Sequence, residues 1–151
     1  HMHTLPGIID LVLQLAADAG IKAIRIPGTP IKADEGELNS VGQLIGRAGL
    51  ATLAKMAALK AKNKGFVMPN HFAGLVAGGA VDTANLRKIC LNMQEGTTEV
   101  MMHPGVDNKI LCRETQWEHD FEAECHAIVS PEVMLVLQER KVKIGNFSNL
   151  I

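Results

Sequence analysis

A chain of 151 residues has the size of one domain and is long enough to bury a sizeable core. Its mixed charges sum to −1, and its only tryptophan is Trp117 with no tyrosine beside it, which excludes the basic, base-stacking surfaces of nucleic-acid binders. No apolar run reaches membrane-spanning length, and the start lacks the basic-then-apolar layout of a signal peptide. The three cysteines (Cys90, Cys112, Cys125), without CxxC spacing, read as reduced thiols of a cytoplasmic protein.

Pro6 suits the first turn of a helix in which Ile8, Leu11, Val12 and Leu15 form an i, i+3, i+4, i+7 stripe, and Gly20 closes it. Ile21–Ile26 alternates as a short strand stopped by Pro27 and Gly28. The polar segment Thr29–Asn39 is expected to be a loop over one face. Ser40 is then a plausible N-cap for a long Ala- and Leu-rich helix running to about Lys62 and ended by Asn63, Lys64 and Gly65. Gly42, Gly46 and Gly49 on that helix read as a close-packing face. They do not follow a strand, as the glycines of a dinucleotide-binding turn would.

Phe66–Met68 reads as the next short strand, ending at Pro69, with Asn70 and His71 after it and a flexible connection at Gly78 and Gly79. Asp82 or Thr83 caps a helix carrying Leu86, Ile89, Cys90 and Met93, which Gly96 terminates. Thr98–Met102 is a β-rich run that delivers His103 to its C-terminal end and turns at once through Pro104 and Gly105. Residues 105–116 read as a polar loop. Trp117, Phe121 and Cys125 fall at i, i+4, i+8 on one helix, with His119 and His126 on its solvent side. Ser130 and Pro131 open a further helix bearing Val133, Val136 and Leu137, and Val142–Phe147 reads as the last strand. This alternation predicts an α/β fold with a single domain over 1–151 and a parallel sheet covered by helices. Closure of a barrel needs about eight strands, so about four short ones describe a partial (β/α) barrel.

In a parallel sheet the strand C-termini share the face where ligands bind. Arg25 before Pro27, His71 after Pro69 and His103 before Pro104 are therefore candidate site residues. Each also has a plainer reading: an ion-paired arginine, an ordinary loop histidine, and a half-buried histidine hydrogen-bonded to backbone. Cys90 and Cys125 lie on apolar stripes and read as core.

The motifs His1-Met2-His3 followed by Pro6, Arg25 with Pro27, Phe72-Ala73-Gly74-Leu75 and Thr98-Glu99 leading to His103-Pro104-Gly105 occur in the order found in the YdjC-like carbohydrate deacetylases, a family that this chain resembles. Trp117-Glu118, the Ser130-Pro131-Glu132 helix start and Ile144-Gly145-Asn146-Phe147 extend the similarity through the tail. The resemblance implies a distorted (β/α) barrel that hydrolyses an N-acetyl group of an amino sugar or oligosaccharide, with a divalent metal, Mg or Zn, as cofactor. It implies His103 as the acid or oxyanion stabiliser, Arg25 as a group that orients a carboxylate or binds the oxyanion, and His71, Pro104 and Gly105 on the substrate side. His1 and His3 match imidazoles beside the metal, as ligands or as groups supporting it. His1 also reads as a residue left ahead of an initiating Met2.

The chain departs from the family in lacking an Asp-Asp pair, a G-x-H segment and a D-x-H ahead of the H-x-H motif. These are the residues with which the family holds its metal and supplies its base. The expectation is therefore a C-terminal half of such a deacetylase, inactive or weak alone, with apolar faces that favour a homodimer or a non-catalytic, self-associating or sugar-binding role. A small-molecule-binding α/β domain unrelated to deacetylation is the remaining alternative.

Overall fold

The computed structural model describes residues 2–28, 41–75 and 80–151. The Thr29–Asn39 loop, the Ser40 cap, the close packing of Gly42 and Gly46, the Gly78–Gly79 connection and His1 lie outside the residues, or the side chains, that it describes. Among the described residues there are six α-helices and a two-stranded parallel sheet that does not close.

α1 (Ile8–Asp18) ends as its sequence predicts: Gly20 adopts φ 71°, and the amides of Gly20 and Ile21 fold back onto Ala17 O and Ala16 O. The buried face differs from the expected stripe. Ile9, Leu13 and Ala16 are inside, whereas Ile8, Leu11 and Leu15 are exposed. A helix that is apolar nearly all round carries two candidate stripes, and the partner helix decides between them. That partner is α2 (Val41–Asn63), whose Ala54, Ala57 and Ala61 let the two backbones approach. Ile26 and Phe66 complete this first core. Lys60 Nζ donates to Asp10 Oδ2 at 2.7 Å across the same pair of helices. A Cβ added at Gly49 would meet nothing within 4 Å, so this glycine forms no close-packing face among the described residues.

The expected first two strands are reduced to one parallel bridge, Ala23 with Val67, held by Ile24 N–H to Val67 O and Val67 N–H to Lys22 O. The ladder lies further on, in β1 (His71–Ala73) and β2 (Thr98–Val100), joined by α3 (Thr83–Asn92) as a parallel β-α-β unit. Gly74 follows β1 at φ 96°, where an added Cβ would lie 2.1 Å from Met101 O, so only glycine lets β2 run this close. Asp82 caps α3 through Asn85 N–H, as predicted.

The interval expected to be a polar loop contains α4 (Asn108–Thr115), capped by Asp107. α5 (Phe121–Ile128) starts at Phe121, because Asp120 takes the N-cap and accepts from Ala123 N–H. Trp117 and His119 therefore precede the helix. α6 (Pro131–Glu139) follows Ser130, and α3, α5 and α6 pack a second core of Ala73, Val81, Leu86, Ile89, Cys90, Ala127, Val133 and Val136. Arg140 after α6 donates to the carbonyls of Cys90, Leu91 and Met93 and so caps the end of α3. Val142–Phe147 pairs with no strand among the described residues. Asn146 caps a short 3-10 turn over Phe147–Leu150, and Ile144 stands exposed. The described residues thus show an open α/β arrangement rather than four barrel strands.

Candidate functional site

The site is built around a buried acid. Glu124 projects from the inner face of α5 and is 1% exposed. One carboxylate oxygen, Oε1, accepts from Val81 N–H at 2.9 Å, and the other, Oε2, accepts from His103 N–H. A carboxylate held by two backbone donors fixes both the segment entering α3 and the turn after β2. Gly105 N–H donates to Phe121 O at 2.9 Å, a second tie between that turn and α5. The polar cap beneath is reciprocal. Asn108 Nδ2 donates to Asp120 Oδ1, while Asn108 Oδ1 accepts from Glu122 N–H. Hydrogen bonds from the Asn108 amide and then from Ala123 N–H hold the Asp120 carboxyl below its usual range.

Three rings close over the acid. Trp117 stacks on His119 with centroids 4.4 Å apart at 24°, and His103 meets the two edge-on at 4.9 and 5.5 Å. His119 was expected on a solvent-facing helix surface, yet its side chain is only 7% exposed, and its Nε2 lies 3.0 Å from Glu124 Oε1. The donor atoms of His103, His119 and Glu124 all fall within 4.8 Å of one another, so this group could hold a metal ion. His126, by contrast, is exposed as expected.

Arg25 lies in a second centre. Its Nε and Nη2 both reach Glu99 Oε1 at 2.5 Å, and its guanidinium sits 5.8 Å above the Phe72 ring, with Phe72 and Glu99 paired across the β1–β2 ladder. His3 joins this centre, its Nε2 lying 3.1 Å from Arg25 O. Among the described residues His3 is not part of a His, Cys or acid cluster with metal-holding geometry, and the other member of the expected pair, His1, lies outside the described residues. His71 opens β1 instead of following a strand, and its Nε2 lies 3.1 Å from Glu95 O. In register it pairs with Thr98, five residues before His103, which is roughly 16 Å along an extended chain. Pro104 is exposed and Gly105 half-buried, both beside His103. A groove between α3 and α6, lined by Arg87, Glu132 and Glu139 among others, contains none of these groups.

A family model described as YdjC-like protein matches residues 1–139. The chain belongs to the YdjC-like family. No curated protein and no solved structure matches it. Membership gives this YdjC-like chain a coarse resemblance to carbohydrate deacetylases and points to a carbohydrate as the substrate class. Among its described residues, no helix is long and apolar enough to cross a membrane.

Glu124 and His119 are the residues that sequence reasoning missed. A signal for each was present. Glu124 stands three residues after Phe121 and three before Ala127, on the apolar stripe of α5, where an unpaired charge is costly. Asp120 is an N-cap residue that separates His119 from the helix carrying His126.

Proposed function

We propose that this chain contributes the leaving-group side of a carbohydrate deacetylase, which hydrolyses the N-acetyl amide of an amino sugar or oligosaccharide and releases acetate. Hydrolysis of an amide needs an acid to protonate the departing amine. His103 is that acid in this reading, and the observation that carries it is its anchoring. A buried carboxylate grips its backbone amide, and its ring stands edge-on to Trp117 and His119. Pro104 and Gly105 shape the substrate side of the same turn, and Trp117, 44% exposed, offers a sugar ring an apolar face. Arg25, turned toward Glu99, orients that carboxylate from the β1–β2 side. His71 takes no part, because it lies at the opposite end of the ladder.

A divalent metal, Mg or Zn, supplies Lewis acidity and an activated water when bound in this class of reaction. The Asp-Asp pair, the G-x-H segment and the D-x-H with which the family holds it match no residues of this chain, and His3 is engaged with Arg25 O, so no step here runs through the ion. Residues 1–151 act as one domain, one part of a (β/α) barrel, with little acetate release on their own. The three free thiols suit the reducing cytoplasm.

The test is a titration of the purified chain with an N-acetylated chitooligosaccharide, read on Trp117 emission and on released acetate. We expect a saturable emission change that His103→Ala abolishes, with acetate near background. The absence of any saturable change overturns the substrate assignment. Robust acetate release overturns the assignment of weak activity.

A second reading has its own observation. Ile8, Leu11 and Leu15 form an exposed apolar stripe on α1, a face that a second copy of the chain would cover in a homodimer. A single monomeric species in sedimentation velocity at micromolar concentration would count against it.

A further inference from the structure

We propose that His103, His119 and Glu124 form a binding site for one borderline divalent transition-metal ion, zinc by chemical preference. Two imidazoles and one carboxylate are a zinc-type donor set. Magnesium prefers an all-oxygen, largely hydrated shell that this site does not offer. Glu124 has four lone-pair directions, and backbone amides of Val81 and His103 use two of them. These bonds are the outer support that a ligating carboxylate needs, and they leave a lone pair on each oxygen for an ion.

The geometry at His119 carries the argument further. Its Nε2 is buried and only 3.0 Å from Glu124 Oε1, yet it makes no aligned hydrogen bond. A contact that is close but misaligned is a poor N–H···O bond. It is the right separation for two ligands on one ion. Bonds of about 2.0–2.1 Å meeting at angles between a right angle and the tetrahedral one put the ligand atoms about 2.9–3.4 Å apart. The carboxylate is also 1% exposed, and no Lys or Arg ion-pairs with it among the described residues. A cation between the three side chains would supply a full positive charge where only the His119 imidazole faces the carboxylate. Trp117 lies against His119 and Phe121 lies under both rings, so the site is walled on its apolar side and approached past the indole.

The site has a consequence that rests on the reading of His103 as the acid. A ring nitrogen bound to the ion is withdrawn from proton transfer, so ion and proton compete for His103.

The only tryptophan of the chain lies against a ligand, which makes it the reporter. Titration with Co2+ should quench Trp117 in a single saturable step, and Zn2+ added afterwards should reverse it. Dialysis against zinc should leave about one ion per chain. His119→Ala, which removes one of the three ligands, should abolish the saturable Co2+ response over the range that saturates the parent, and His119→Gln should do the same with the far-UV circular dichroism of the parent. His126→Ala, on the exposed side of α5, should leave it unchanged, and Mg2+ should give no response. Absence of saturable quenching overturns the site, as does quenching that survives loss of His119. The oligosaccharide titration is read without added metal, so failure of the deacetylase reading and failure of this site are told apart.

Discussion

Two glutamates, Glu124 buried and Glu99 half-buried, hold the two halves of the candidate site, and they do so by opposite means. Glu99, 9% exposed, is held by a side chain: Arg25 clamps one of its oxygens from a position 42% open to solvent, while its Oε2 is buried with no hydrogen bond. Glu124 is held by main chain, each oxygen taking an amide from a different segment. The difference is one of replaceability. An arginine that loses its acid turns into water. An amide cannot leave, so loss of Glu124 strands two donors inside the protein. The side-chain clamp fixes the position of a charge, and the backbone clamp fixes the path of the chain on either side of His103.

The largest expected effect follows from this asymmetry. Glu124→Ala should lower the unfolding free energy by about 3–5 kcal/mol, because two buried amides lose their acceptors and His119 loses its neighbour. Urea denaturation measures it, and exchange of the His103 amide proton should accelerate in step. A loss comparable to that of Glu99→Ala would erase the distinction. Next comes Gly105→Ala. The new Cβ would sit 2.2 Å from Leu111 Cδ1 and 3.0 Å from Phe121 Cβ, so the Leu111 side chain must swing aside and Phe121 give slightly, at about 1–3 kcal/mol. Glu99→Ala should cost less, about 1–2 kcal/mol, because Arg25 is partly hydrated already and keeps its contact with Phe72. The His103 amide should be indifferent to it.

The same contrast explains what could be read from the sequence. Caps are local and were legible: Gly20, Asp82 and the Ser130-Pro131 start all stand where the residues place them. So was the turn at His103, through proline and glycine and through the family motif. What depends on a partner was not. The face buried on α1 is chosen by the alanines of α2, and the alternation of Val142–Phe147 meant nothing without a neighbouring strand to pair with. Arg25 and Glu99 could be noticed as charges but not as a pair, because the ladder register that brings Phe72 beside Glu99 is a tertiary fact. The trio at Glu124 was hidden by the assumption of one helix from Trp117 to Cys125, which turned a buried His119 into a surface one.

The smallest effect compares these clamps with a third acid that has neither burial nor backbone to hold it. Asp10 pairs with Lys60 in the open, and the hydrogen bond from Lys60, ahead of its charge, lowers the Asp10 pKa below the usual 3.8. A carboxyl whose folded pKa is lowered adds stability above its unfolded pKa, and that contribution fades as the pH falls through the folded value. Acidification from pH 5 to below the usual carboxylate pKa should therefore weaken the α1–α2 contact slightly. Asp10→Asn should remove that part of the pH dependence and leave stability at pH 2 nearly unchanged. Salt should mimic the substitution at neutral pH, since an exposed pair is screened. The His103 turn, whose amide is held by a carboxylate buried away from mobile ions, should show no matching response to salt in its hydrogen exchange. A salt response there equal to that at Asp10 would mean that the backbone clamp on Glu124 matters less than the charges around it.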